Sequence, residues 1–208
     1  MYYDILTKER LEILPLFKSF KKDFYLAGGT ALSLQIGHRD SVDFDFFSQK
    51  EFNTAELFEE IRKVFLGHDL VKIQDEKNTL SVIIGQNIKI SFFSYDYKLI
   101  EPLVDDEHFR LASIIDIGCM KLSAIVSRAT NKDYVDLYYI LKQVSLEKLL
   151  KSAEEKMPEL DYNLILKSLV YFDDIKEEAL IFKHNKQVDL KTVKDFFVQE
   201  IKKIALLN

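Results

Sequence analysis

Hydrophobic residues recur with different periods along the chain, and each period predicts its own element. Between residues 4 and 22, Ile5, Leu11, Leu14 and Phe17 form an apolar stripe, with Lys8, Arg10, Lys18, Lys21 and Lys22 mostly outside it. That pattern predicts an amphipathic helix. Tyr25-Leu26-Ala27 reads as a short buried strand that Gly28 and Gly29 interrupt, and residues 30–36 follow as one or two turns of helix. From Val42 to Phe47 the period becomes two, with Val42, Phe44 and Phe46 alternating with Asp43 and Asp45. Strand side chains point to opposite faces in turn, so three apolar groups are expected in the core and both carboxylates on the other face. Two like charges on one face call for a cation between them. Asn53-Thr54 then caps a helix predicted over 55–66, with Glu56 near its positive end and Gly67 as its stop. Three strand-like runs follow at 70–74, 79–84 and 88–93, separated by turns at 76–78 and 85–87. Gly85 before two polar residues is a hairpin signal, and the runs predict an antiparallel meander joined to the first two strands.

From about residue 111 the strand pattern ends. Residues 111–128, 133–143, 145–156, 162–172 and 190–206 read as helices, with Ser145 as a cap, Pro158 ending one helix and Asp173-Asp174 following another. A strand-rich first half and a helical second half predict an α+β fold rather than a doubly wound sheet. The expected division is a core over residues 1–105 and a helical domain over 106–208 that completes the cleft.

Composition narrows the class. A chain of 208 residues with 48% apolar and 30% charged side chains can bury a core, so disorder is excluded, and no internal repeat suggests a solenoid. The single cysteine, Cys119, excludes an intrachain disulfide and argues against Cys-based zinc; its apolar neighbours Ile117, Met120 and Leu122 predict a buried thiol. No apolar run is long enough to span a membrane, and the charged N-terminus lacks a secretory core, so a cytoplasmic protein is expected. The net charge of −5 argues against nonspecific coating of nucleic acid but leaves room for a local basic groove. His38, His68, His108 and His184 show no ligand spacing.

The chemistry concentrates between Tyr25 and Ser48. An Asp-x-Asp pair on a strand is a hard-oxygen site suited to Mg²⁺, which takes one or two carboxylates with water and substrate phosphate oxygens. Gly28 and Gly29 let backbone N–H groups approach a phosphate, and Thr30 opens a helix whose positive end favours an anion. Ser41 offers a further hydroxyl donor. A phosphate cradle beside a metal-binding pair suits a nucleoside triphosphate. No Gly-Lys-Ser/Thr follows the glycines, so this is not a Walker P-loop.

Gly28-Gly29-Thr30 followed by His38-Arg39-Asp40-Ser41-Val42-Asp43-Phe44-Asp45-Phe46 resembles the first motif of the polymerase-β-like nucleotidyltransferase superfamily, and more closely that of the AbiEii/AbiGii toxin family. The run from Asp116 through Lys121 to Arg128 is similar to that family's lysine-bearing helix. Lys132-Asp133 with Asp136-Leu137 is similar to its later acidic motif, and Tyr171-Phe172-Asp173-Asp174 matches a common late helix ending. The resemblance implies a nucleotidyltransferase-like mixed sheet with flanking helices. Asp43 and Asp45 would hold Mg²⁺, and Gly28 and Gly29 would face the triphosphate. Lys121 would project a compact charge towards the phosphates. Asp136 would be a site carboxylate supported by Asp133 or Lys132, and Arg39 would either steady the carboxylates or contact phosphate. Many members of the superfamily carry a third carboxylate on a later strand. Ser91 stands there in this chain, so either Asp136 takes the acceptor proton or no protein base is needed.

These features lead to a Mg²⁺-dependent enzyme that moves a nucleoside monophosphate from an NTP to an acceptor hydroxyl. The resemblance adds tRNA or another RNA as acceptor, and a cognate antitoxin protein as partner in a type IV-like toxin–antitoxin system. Two alternatives stay open: a catalytically reduced binding module, which Ser91 favours, and a small-molecule nucleotidyltransferase of the aminoglycoside-modifying type.

Overall fold

In the computed structural model, which describes residues 1–206, the chain divides into two units, Met1–Lys98 with Pro102–Ala112 and Leu99–Glu101 with Ser113–Asn208. The first unit opens with a 3₁₀ turn at Tyr3–Ile5, the helix α1 (Lys8–Ile13) and a second 3₁₀ segment at Leu14–Phe20. The single helix expected over 4–22 is thus three short pieces. Leu14, Phe17 and Phe20 recur every third residue, the 3₁₀ repeat, and all three are buried. Leu11, expected in the stripe, is exposed, and Arg10, expected outside, is buried.

The strands and helices that follow are β1 (Tyr25–Ala27), α2 (Gly28–Ile36), β2 (Phe44–Ser48), α3 (Thr54–Val64), β3 (Leu70–Glu76), β4 (Thr79–Ile84), β5 (Ile88–Ser94), β6 (Val104–Asp105) and β7 (Arg110–Leu111). They form one mixed sheet in the order β3-β4-β5-β2-β1-β7-β6. The predicted meander β3-β4-β5 is antiparallel, and β5 joins β2 in parallel. Two-residue strands β6 and β7 extend the far edge, with β7 parallel to β1.

Period two along β2 sends Phe44 and Phe46 into the core, where they meet Phe17 at ring-centroid distances of 4.8 and 5.1 Å. Phe92 of β5 packs on Phe20 and Phe24 at 5.2 and 5.0 Å. Each ring so buried contributes about 1.5–3 kcal/mol over its exposed state. Val42 corrects the expectation for this strand, because it precedes β2 and is exposed. Asn53 caps α3 as predicted, its Oδ1 accepting from the N–H groups of Ala55 and Glu56.

The second unit carries α4 (Ile114–Arg128), α5 (Asn131–Ile140), α6 (Leu146–Lys156), α7 (Tyr162–Val170) and α8 (Leu190–Ala205). Ser113 and Ser145 cap α4 and α6 by accepting from the N–H groups of Asp116 and Lys148. The helix expected from Leu111 begins at Ile114 because Leu111 belongs to β7, and Asp173-Asp174 lies beyond the end of α7. Asp116 and Lys156 form a fully buried ion pair at 2.8 Å. The same carboxylate also accepts from the Ser113 hydroxyl and the N–H groups of Ile100 and Glu101. Cys119 is buried, and burial, aided by the Asp116 charge, pushes its thiol up to about 12. Such a thiol is unreactive near neutrality. No described helix is long and apolar enough to cross a membrane.

Candidate active site

Strand β1 ends where Gly28 turns into α2. Gly28 has φ +72°, and a Cβ built on it would lie 3.3 Å from Asp45 Oδ2. The backbone at the helix start is therefore pressed against the carboxylate. Gly29 is crowded from another side: its Cβ would stand 2.7 Å from an Arg39 guanidinium nitrogen and 3.2 Å from Ser41 Oγ. No side chain of the N-cap residue Ala27 bonds to the first turn of α2. Uncapped N–H groups with the helix dipole behind them are what an anion needs. Replacing Gly28 with alanine is expected to cost about 1–2 kcal/mol of stability through left-handed strain. The same change should weaken NTP binding, which isothermal titration against a Mg²⁺–NTP would read.

Thr30 is buried and fixes the acidic loop. Its hydroxyl donates to the Asp43 carbonyl and pairs with Ser41 Oγ at 2.8 Å. Arg39 is also buried, and its Nη1 donates to the Asp40 carbonyl at 2.8 Å. Arg10, which sequence reasoning passed over as a surface residue, holds the same loop as well. Its Nε donates to the Val42 carbonyl at 2.8 Å and its Nη2 to the Asn87 carbonyl at 3.2 Å. A single arginine amid lysines carried no signal of that role.

Asp43 and Asp45 are both half-buried, and sheet register says what stands beside Asp45. It pairs with Ala27 on β1 and Ser91 on β5. Ser91 in turn faces Ser81 of β4, and Ser81 Oγ donates to Ser91 Oγ at 3.1 Å. Ser91 is fully buried. The position beside Asp45 is thus filled by a small hydroxyl already bonded within the sheet. Among the described residues no group of three or more His, Cys, Asp or Glu could hold a metal by itself. Two carboxylates with the remaining oxygens from water and phosphate is nonetheless the donor set that Mg²⁺ prefers.

Lys121, Asp133 and Asp136 come together within the helical unit. Lys121 Nζ lies 2.9 Å from Asp133 Oδ1 and 2.6 Å from Asp136 Oδ2, with almost no solvent exposure on any of the three. Asp133 also accepts from Arg128 Nε and Nη2 at 2.9 Å and from Thr130 Oγ1 at 2.6 Å. Burial alone would raise the Asp133 carboxyl. The Lys121 charge and the bonds from Arg128 and Thr130 outweigh burial and hold it down at about 2.

A mixed sheet carrying strand, Gly-Gly, helix and Asp-x-Asp in this order defines a nucleotidyltransferase of the polymerase-β-like class. More narrowly, residues 16–203 match the family described as "Nucleotidyl transferase AbiEii toxin, Type IV TA system", and the chain belongs to that family. Uncharacterized protein aq_aa25 of Aquifex aeolicus (strain VF5) is 37% identical over 205 residues, which span 95% of this chain and 96% of that protein. The fold is shared with JHP933 from Helicobacter pylori, at a TM-score of 0.63 and 22% identity over 96% of this chain and 93% of that one. It is also shared with MenT4, a nucleotidyltransferase toxin from Mycobacterium tuberculosis H37Rv, at a TM-score of 0.61 and 13% identity over 93% and 80% of the two chains.

Proposed function

We propose that the protein is a Mg²⁺-dependent nucleotidyltransferase that moves a nucleoside monophosphate from an NTP to an acceptor hydroxyl, with tRNA or another RNA as acceptor. The observation that carries the reading is the Asp45 carboxylate set against Gly28 at the uncapped start of α2. Mg²⁺ held by Asp43 and Asp45 would draw charge from the triphosphate oxygens as the bond to pyrophosphate breaks. Gly28 and Gly29 bring backbone N–H groups to the phosphates. Thr30 and Arg10 keep the acidic loop in place, so the carboxylates need no rearrangement to act.

The acceptor proton finds no dedicated base at Ser91, whose hydroxyl is buried and bonded to Ser81. Asp136 is a poor candidate as well, because its buried carboxylate is already engaged by the Lys121 ammonium at 2.6 Å. We assign Asp136 and Asp133 to holding Lys121, and Lys121 to serving the transfer as a fixed positive charge.

Family membership supports a cognate antitoxin as protein partner, and an activity that draws on NTP and tRNA is in keeping with a cytoplasmic protein. Incubating the protein with Mg²⁺, each labelled NTP and total tRNA tests the proposal. Label in RNA with matching pyrophosphate release is the expected result. Nucleotide binding with no transfer to any acceptor would overturn it in favour of the binding module that Ser91 suggests.

A further inference from the structure

At the end of the sheet where β1 starts and β2 finishes, the first unit has a pocket of about 280 Å³. It lies about 7 Å along the strands from the Ala27–Asp45 pair, two residues at the strand rise. Its lining combines Lys22, Lys50 and Arg110 with the rings of Phe24, Tyr25 and Phe52. Two carboxylates, Asp23 and Glu51, line it too, but Glu51 is already engaged by Lys77 at 3.0 Å. Asp105, the cross-strand partner of Arg110, is paired with Lys21 at 2.9 Å.

Arg110 is the feature that asks for a ligand. Its Nη2 donates to the Lys22 carbonyl at 2.7 Å. Its Nε is buried and has no hydrogen-bond partner among the described residues. A guanidinium edge left with an unused donor beside a pocket is matched by an oxyanion, and phosphate fits its fork. The pairing of Leu26 with Leu111 sets Arg110 level with Tyr25 and on the same face of the sheet. From Tyr25 a row of rings continues across that face to Phe47 at 6.1 Å and Phe93 at 5.3 Å, both half-exposed. This face also carries Asp45. A phosphate site bordered by rings, a short step from the carboxylates, fits a nucleotide whose neighbour in a chain reaches Asp45.

We propose that this pocket binds one nucleotide of a single-stranded RNA acceptor, its phosphate against Arg110 and its base against the half-exposed ring of Phe52. The RNA identity rests on the acceptor proposed above, but the interaction is read by binding alone. Fluorescence anisotropy of the full chain with a short, unstructured, labelled oligoribonucleotide, over a salt series and without NTP, tests it. Arg110→Gln is expected to weaken binding about tenfold and to reduce the slope of log Kd against log salt by about 0.7, the loss of one phosphate contact on a single strand. Lys50→Gln, a change at an exposed position, should shift both quantities in the same direction by less. Both variants should keep the wild-type melting temperature and the wild-type thermal shift with Mg²⁺–ATP, which separates this proposal from any failure of nucleotidyl transfer. Unchanged RNA affinity and salt slope in both variants overturns the proposal. So does AMP that competes as tightly as the RNA, since the pocket would then be a mononucleotide site.

Discussion

Replacing Asp45 with asparagine is expected to lower kcat/KM for nucleotidyl transfer by about 10³-fold or more, with Asp43→Asn close behind. A metal-held carboxylate contributes several kcal/mol of transition-state stabilisation, and each 1.36 kcal/mol is tenfold in rate. Asparagine keeps the shape and the β2 register but not the charge. Ser91, the neighbour of Asp45 on β5, cannot supply the missing carboxylate. Asp45 is half-buried at the sheet end, so the substitution should change stability by only about 1 kcal/mol. The diagnostic measurement is the Mg²⁺ dependence of pyrophosphate release: the wild type should respond to Mg²⁺ and the variants should not. An Asp45→Asn protein that melts like the wild type and turns over at its rate would remove the two-carboxylate mechanism.

Much of this site is visible in sequence because its chemistry is local. The glycines, the helix start and both aspartates lie within one stretch, and turn and strand periods locate them without knowledge of the rest. The meander and the caps at Asn53 and Ser145 are local too. What escapes sequence reading depends on residues far apart in the chain. Arg10 reaches the Val42 and Asn87 carbonyls, and only the folded chain distinguishes it from the surface lysines around it. Lys156 finds Asp116 across 40 positions. Strands β6 and β7 have two residues each, too few to show a period. The run Leu14, Phe17, Phe20 does show a period, but a spacing of three also falls on an α-helical stripe. Ser91 was placed by resemblance alone, and the parallel pairing of β2 with β5 sets it beside Asp45.

The buried network in the helical unit should make stability depend on acid. The folded Asp133 carboxyl lies at about 2, below its ordinary 3.8, so its contribution is fully present above the ordinary value and is lost as pH falls through the folded one. That gap corresponds to roughly 2 kcal/mol. Urea unfolding followed by circular dichroism should therefore show stability falling from about pH 4 towards pH 2. Asp133→Asn is expected to cost about 3–5 kcal/mol at neutral pH, because Lys121 and Arg128 lose a fully buried counter-charge. The gap between wild type and variant should then narrow in the same acid window, since protonating the wild-type carboxyl removes the same charge. A gap that stays constant down to pH 2 would assign the loss to packing instead. Lys121→Met separates the two roles of the lysine. It leaves Asp133 with Arg128 and Thr130 but leaves Asp136 without the ammonium at 2.6 Å. If Lys121 serves the transfer as a fixed charge, turnover per folded molecule falls in this variant; if it serves stability alone, only the unfolding midpoint moves.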